Sequence, residues 1–201
     1  MSIAIERRVN RRMTRGIFTI EDLAELPDQL AAHPVMWELW DGELLAMSPP
    51  GDIHGSVEAR ISAVLMVHGD WEGHGRTTGG DVGVVIQLGI PQSCVGADVA
   101  FLTSDQLPAQ RSPEGYLLTI PALIVEVRGK RARRPKVEEK IERYLARGAR
   151  MVLDVDPAKA TIRVHRPGRE VEVLGIDDEL TAEGIIPGLR VPIRRLFEDL
   201  D

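Results

Sequence analysis

Two carboxylates set inside apolar runs constrain this chain more than any other feature. Asp98 opens the run Val99-Ala100-Phe101-Leu102, and Glu126 stands within Ala122-Leu123-Ile124-Val125-Glu126-Val127. Short β-branched runs bounded by turn residues read as buried strands, and a charge embedded in such a strand needs a partner. If the two strands are antiparallel, the start of the first lies beside the end of the second, so Asp98 and Glu126 meet at one edge of a sheet. Close carboxylates repel unless a cation lies between them. A hard divalent ion with oxygen ligands, Mg²⁺ or Mn²⁺, is the natural occupant.

A lysine is expected to join them. On a helix predicted over about residues 135–147, Val137, Ile141, Tyr144, Leu145 and Gly148 fall in one stripe, and Lys140 lies roughly 80° from its centre. From the flank of the buried face its stem can run along the sheet and bring the ammonium to the carboxylate edge. An ordinary boundary lysine is the alternative that helix geometry leaves open.

These residues carry a family resemblance. The motifs DVAFL at 98–102, LIVEV at 123–127, Lys140-x-x-x-Tyr144-x-x-x-Gly148 and LDVDP at 153–157 follow one another in the order and spacing of a known group. Upstream WELWDGELLAMSPPG at 37–51 with His54, and downstream IPGLRVP at 186–192, extend the match to roughly residues 35–198. In this the chain resembles the Uma family, a bacterial branch of the PD-(D/E)XK nuclease superfamily. The resemblance implies an α/β (α+β) restriction-endonuclease-like core: a mixed central sheet flanked by helices, with an N-terminal β-hairpin and additional C-terminal strands. It also implies a Mg²⁺-dependent endonuclease acting on DNA, with Asp98, Glu126 and the Val127 carbonyl as metal ligands and Lys140 as the catalytic lysine. The chain departs from the family pattern at Ala97, where relatives usually carry proline, and at Arg128-Gly129-Lys130, where a Ser-Pro-Ser-like turn is usual. Arg128 occupies the superfamily's E-x-K lysine position; arginine does not release a proton near neutral pH, so it can clamp a phosphate but not act as a base.

Composition sets the outer bounds. With 201 residues, 43% hydrophobic and 28% charged, the chain suits one soluble domain with a full core. We expect that domain over residues 17–201, preceded by a flexible basic arm at 1–16 that holds Arg7, Arg8, Arg11, Arg12 and Arg15. The lone Cys94 excludes a disulfide framework and fits a reducing cytoplasm. Apolar runs are expected to fall far short of a membrane span, and residues 1–16 read as lacking the apolar core of a signal peptide. A net charge of −6 argues against a protein that coats DNA non-specifically. Yet Arg128, Lys130, Arg131, Arg133 and Arg134 crowd the loop after Glu126, where they can hold nucleic-acid phosphates; a solvated face is the plainer reading of such a run.

Elsewhere, Thr19 with Asp22 marks a helix start, and residues 36–47 alternate around Asp41-Gly42, a hairpin signal. Glu38 and Glu43 read as exposed strand carboxylates. Asp52 is positioned to cap a helix whose buried stripe includes Val57, Ile61 and Leu65, with His54 near that stripe and Glu58 at its margin. His54, Glu58, Asp81 and Tyr144 are additional site candidates. For His54 a packed, hydrogen-bonded role competes; for Asp81, a strand-start cap. Residues 71–78 read as loop, 81–88 as strand and 104–119 as a surface excursion. Residues 161–165 and 170–174 form an antiparallel pair about Pro167-Gly168, and the tail ends in a short helix.

Three functions are therefore carried forward: a metal-dependent nuclease; a nuclease fold without turnover that binds nucleic acid or protein; and a dimeric scaffold whose acids form ion pairs. A homodimer is compatible with each.

Overall fold

The computed structural model describes residues 17–30, 33–129 and 134–200. The basic arm expected at 1–16, and Lys130, Arg131 and Arg133 of the basic loop, lie outside the described residues. By its internal contacts the chain divides into two units assembled from alternating stretches: Met1–Pro49, Gly83–Gly96 and Gln110–Leu118 in one, Pro50–Val82, Ala97–Ala109 and Thr119–Asp201 in the other. Alternation of this kind leaves no linker, so nothing in the sequence marks the boundary between them.

In the first unit, helix α1 (Ile20–Ala24) starts with the capping box that Thr19 and Asp22 suggest: each side chain accepts from the other's backbone N–H. Strands β1 (Gln29–Leu30) and β2 (His33–Pro34) form a short pair. Next come β3 (Met36–Trp40) and β4 (Glu43–Met47), joined by Asp41 and Gly42, both at positive φ (47° and 79°), which is the turn that matches strand twist. Leu39, Val85 and Cys94 pack with Phe18, Ile20 and Leu23 into its core. Glu38 is a correction. It is buried: its Oε2 accepts from Trp40 Nε1 at 2.8 Å and its Oε1 from Gly96 N at 3.0 Å. An indole N–H placed inside a fold needs an acceptor, and Glu38 shares the Trp40 face by strand alternation. Glu43 is exposed, as its alternation suggests.

The second unit holds the site. Helix α2 (Asp52–Leu65) has Gly51, not Asp52, at its N-cap, and no side chain caps it. Asp52 instead stands in the first turn, where its charge complements the helix dipole. Strand β5 (Gly75–Gln87) starts well before Asp81, and β6 (Ser93–Thr103) pairs with it; of these strands, residues 75–82 and 97–103 belong to this unit. Then follow β7 (Leu123–Val127), α3 (Arg134–Ala146), β8 (Met151–Asp156), β9 (Thr161–His165), β10 (Glu172–Leu174), the β11 (Glu179–Thr181) and β12 (Arg190–Pro192) pair, and α4 (Arg194–Phe197). Within this unit the strand order is β10-β9-β8-β7-β6. β7 and β8 are parallel and linked through α3; the other pairings are antiparallel. The result is a mixed sheet flanked by helices.

Alternation distributes the helices. Val57, Ile61 and Leu65 of α2, with Leu196 and Phe197 of α4, pack against Val99, Phe101, Val125 and Val127. Glu126 faces the other way, toward Lys140 and Tyr144 of α3. Gly148, at φ 109°, ends α3 in a conformation open to glycine. The stretch 71–78 is only partly loop because β5 begins at Gly75, whose backbone lies against Leu102 and Phe101: a Cβ there overlaps Leu102 O and meets Phe101 Cζ at 2.6 Å. Gly75→Ala is therefore expected to destabilise by about 2 kcal/mol or more, read as a lower urea midpoint with an unchanged m-value.

Candidate functional site

The β6–β7 ladder pairs Phe101 with Leu123, Ala100 with Ile124 and Val99 with Val125, and stops there. Asp98 and Glu126 stand at the next step. In place of a backbone carbonyl, the Asp98 side chain takes the orphaned strand donor: its Oδ2 accepts from Val127 N at 2.5 Å. A carboxylate accepting a backbone N–H is fixed in orientation, so its second oxygen has a set direction. Oδ1 lies 3.2 Å from His54 Nε2, on the first turn of α2. One turn on, Glu58 Oε2 is 3.9 Å from the same nitrogen, while Glu58 Oε1 accepts from Gly80 N at 2.9 Å. One ligand atom each from His54, Glu58 and Asp98 lies within 4.8 Å of the other two.

Glu126 is held separately. Its Oε2 accepts from Lys140 Nζ at 2.8 Å and its Oε1 from Tyr144 OH at 3.0 Å. Lys140 thus reaches the carboxylate edge from the flank of α3. Glu126, Lys140 and Tyr144 are all buried.

The electrostatics show surplus negative charge around Asp98. Burial, reinforced by the charges of Asp98 and Glu58, pushes the Asp81 carboxyl up to about 6, while Lys140 pulls the other way. The nearness of Asp98 to Asp81 thus favours the protonated form of Asp81. Burial alone opposes a charge on His54, yet the hydrogen bond and charge of Asp98, with Glu58 and Asp81, raise its affinity for a proton overall. Both shifts have one cause: three carboxylates share a partly buried space, and protons are drawn in to offset them. His54 Nδ1 is buried with no hydrogen-bond partner among the described residues. A site of mostly hard oxygen donors plus one imidazole, short of positive charge, fits a divalent cation.

The structure thus brings together Asp98, His54, Glu58 and Asp81, and beside them Glu126, Lys140 and Tyr144. It turns Arg128 elsewhere. Arg128 Nε and Nη2 each donate to Asp154 at 2.6 Å, a bidentate pair with a fully buried carboxylate. Two of its five N–H donors are thereby committed to Asp154 rather than to an incoming phosphate. Burial works against a charge on Asp154, and the facing His165 and Arg128 more than offset it, leaving its carboxyl below the usual range. With His165 Nε2 3.9 Å away, beyond hydrogen-bond reach, the guanidinium does most of this. Asp154 is the residue that sequence reasoning missed; its signal was a lone acid within Met151-Val152-Leu153-Asp154-Val155, the same pattern that marked Glu126. Of the remaining basic run, Lys130, Arg131 and Arg133 lie outside the described residues, and Arg134 opens α3.

Comparison with known proteins gives the family and the fold. A family model described as "Putative restriction endonuclease" (Uma2) matches residues 20–194. Among solved structures, a crystal structure of a putative nuclease belonging to DUF820 from Anabaena variabilis is similar, with a TM-score of 0.75 at 20% identity. The alignment covers 92% of this chain and 99% of that one. At that identity the likeness shows the fold. No curated protein matches the sequence.

Two measurements check the electrostatics. The folded protein keeps the Asp81 proton up to about pH 6, whereas the unfolded chain releases it near 3.8. The folded state therefore binds more protons between these values, and stability falls as pH rises through them. Asp81→Asn, which tolerates the positive φ of 54°, is expected to stabilise by about 1 kcal/mol at pH 7 after solvent screening. That gain should vanish below about pH 4, as chemical denaturation at the two pH values will show. Arg128→Ala strands a buried carboxylate and is expected to cost about 3 kcal/mol. The double change Arg128→Met with Asp154→Leu should recover most of the loss in the same measurement.

Proposed function

Because the chain belongs to the Uma2 family, we propose that it is a divalent-metal-dependent endonuclease that hydrolyses phosphodiester bonds in DNA. Family and fold both support a nuclease. The observation that carries the reading is the meeting of His54, Glu58 and Asp98 where the β6–β7 ladder ends, with Glu126 and Lys140 at the same step. Asp98, Glu126 and the Val127 carbonyl would hold Mg²⁺ or Mn²⁺, with His54 and Glu58 as further donors; the imidazole favours Mn²⁺. Bound there, such an ion supplies Lewis-acid polarisation of a phosphoryl oxygen and activation of a water.

The chain's own side chains do the positioning. Val127 N holds Asp98 through Oδ2, and Tyr144 holds Glu126 through Oε1, so neither carboxylate must reorganise to meet a substrate. An ammonium paired with a carboxylate is a donor. Lys140 therefore serves to orient the attacking water and to offset charge growing on the phosphate, rather than to remove a proton. Asp81, whose proton the neighbouring carboxylates help to hold, would bind it less readily as positive charge arrives. Phosphate contacts fall to Lys130, Arg131, Arg133 and Arg134, with the donors of Arg128 that Asp154 leaves unused. Such local contacts suit a protein whose net charge is −6.

A nuclease fold that binds nucleic acid without cutting is the second reading, and two observations favour it. Both Glu126 oxygens are engaged, by Lys140 and by Tyr144, and the E-x-K position holds an arginine tied to Asp154. Incubating supercoiled plasmid and single-stranded DNA with Mg²⁺ or Mn²⁺ separates the two. We expect metal-dependent cleavage that falls at least about 100-fold in Asp98→Ala, Glu126→Ala and Lys140→Ala. Cleavage unchanged in all three would refute the assignment. Calorimetric Mn²⁺ binding lost in Asp98→Ala, with salt-sensitive DNA binding and no cleavage by the wild type, selects the second reading.

A further inference from the structure

Away from the carboxylate cluster, the second unit contains a cleft of about 590 Å³ lined by Arg150, Arg166 and Arg169. Strand register explains their meeting. Val152 of β8 is paired with His165 of β9, so Arg166 comes level with Met151, next to Arg150, and Arg169 stands on the turn that leads into β10. Glu172, Glu183 and Thr181 complete the wall.

Two of the guanidinium groups are braced. Arg150 Nη2 donates to Thr103 Oγ1 at 3.0 Å and Nη1 reaches Gly184 O at 3.5 Å. Arg166 Nη1 donates to Glu172 Oε2 at 2.9 Å. Arg169 has no ion pair among the described residues. A guanidinium carries five N–H donors, so these contacts leave donors unspent on every member. The lining holds three arginines against two glutamates, a positive balance in a chain whose net charge is −6. Three like charges in one concavity repel, and an anion relieves them. Planar forks match the oxygens of a phosphate group, which takes paired N–H donors from several directions. The carboxylates and the Thr181 hydroxyl add acceptors for hydroxyl groups. A volume of this size suits a small molecule rather than a duplex.

Position separates this cleft from the cluster. Met151 is aligned with Leu123 and Asp154 with Glu126, so the two sites differ by three residues, roughly 10 Å along the strands. The geometry points to a binding site in this cleft for a small phosphomonoester whose alcohol part carries hydroxyl groups, the chemistry of a nucleoside monophosphate or a sugar phosphate.

Isothermal titration of the full chain with AMP, ribose 5-phosphate, inorganic phosphate and adenosine tests it. We expect at least one of the two esters to bind with a Kd below about 1 mM and adenosine not to bind. Arg169→Ala and Arg166→Ala should each weaken ester binding about tenfold, with thermal unfolding unchanged. Tighter binding of AMP assigns a nucleotide, and equal affinity for the two esters assigns the sugar phosphate. Asp98→Ala should leave the affinity unaltered, so this result stands apart from any cleavage assay. Absence of ester binding at about 10 mM, inorganic phosphate binding as tightly as the esters, or affinity unchanged in both arginine variants overturns the inference.

Discussion

The hydrogen bond from Val127 N to Asp98 Oδ2 is the contact on which the candidate site depends. Where two strands stop pairing, a backbone N–H loses its acceptor, and leaving it buried and unmet costs about 1–3 kcal/mol. Asp98 meets that need with one oxygen. The other is then committed in direction, and His54, Glu58 and Asp81 gather around it. A structural solution at the end of the ladder thereby creates the fixed charge that a chemical site needs.

Two kinds of buried acid stand side by side in this unit, and the contrast is informative. Asp154 has a bidentate guanidinium, and its carboxyl is held below the usual range. Around Asp98 the carboxylates outnumber the cations, and protons are drawn to Asp81 and His54 instead. The first arrangement is satisfied within the fold. The second is left short of positive charge, which is the condition that perturbed groups at functional sites commonly share. Glu126 lies between the two: its register partner is Asp154, and its own carboxylate is shared by Lys140 and Tyr144.

How far the sequence was legible follows from the range of each interaction. The placement of Asp98, Glu126 and Lys140 was readable because each sits in a periodic apolar pattern that sets the direction of its side chain. The Asp41-Gly42 turn and the Thr19–Asp22 capping box were readable because both are local chemistry. Glu38 was not, since its acceptor role depends on Gly96, distant in sequence. The pairing of Arg128 with Asp154 was hidden for the same reason: its partner arrives from β8, beyond a helix. Strand β5 begins earlier than its composition suggests, because Gly75 is required by a close approach to Leu102 and Phe101 that no local pattern records.

The sequence by itself determined the alternation and stripes that make a mixed sheet with helices on both faces, and it placed two acids and a lysine near one edge. Those are consequences of period and polarity, which act between neighbours along the chain. Only the tertiary structure decided which acids share space, that His54, Glu58 and Asp81 join Asp98 while Asp154 claims Arg128, and that three arginines line a separate cleft. Charge interactions act through distance in space, and the distances between these residues are set by where strand pairing ends and helices pack.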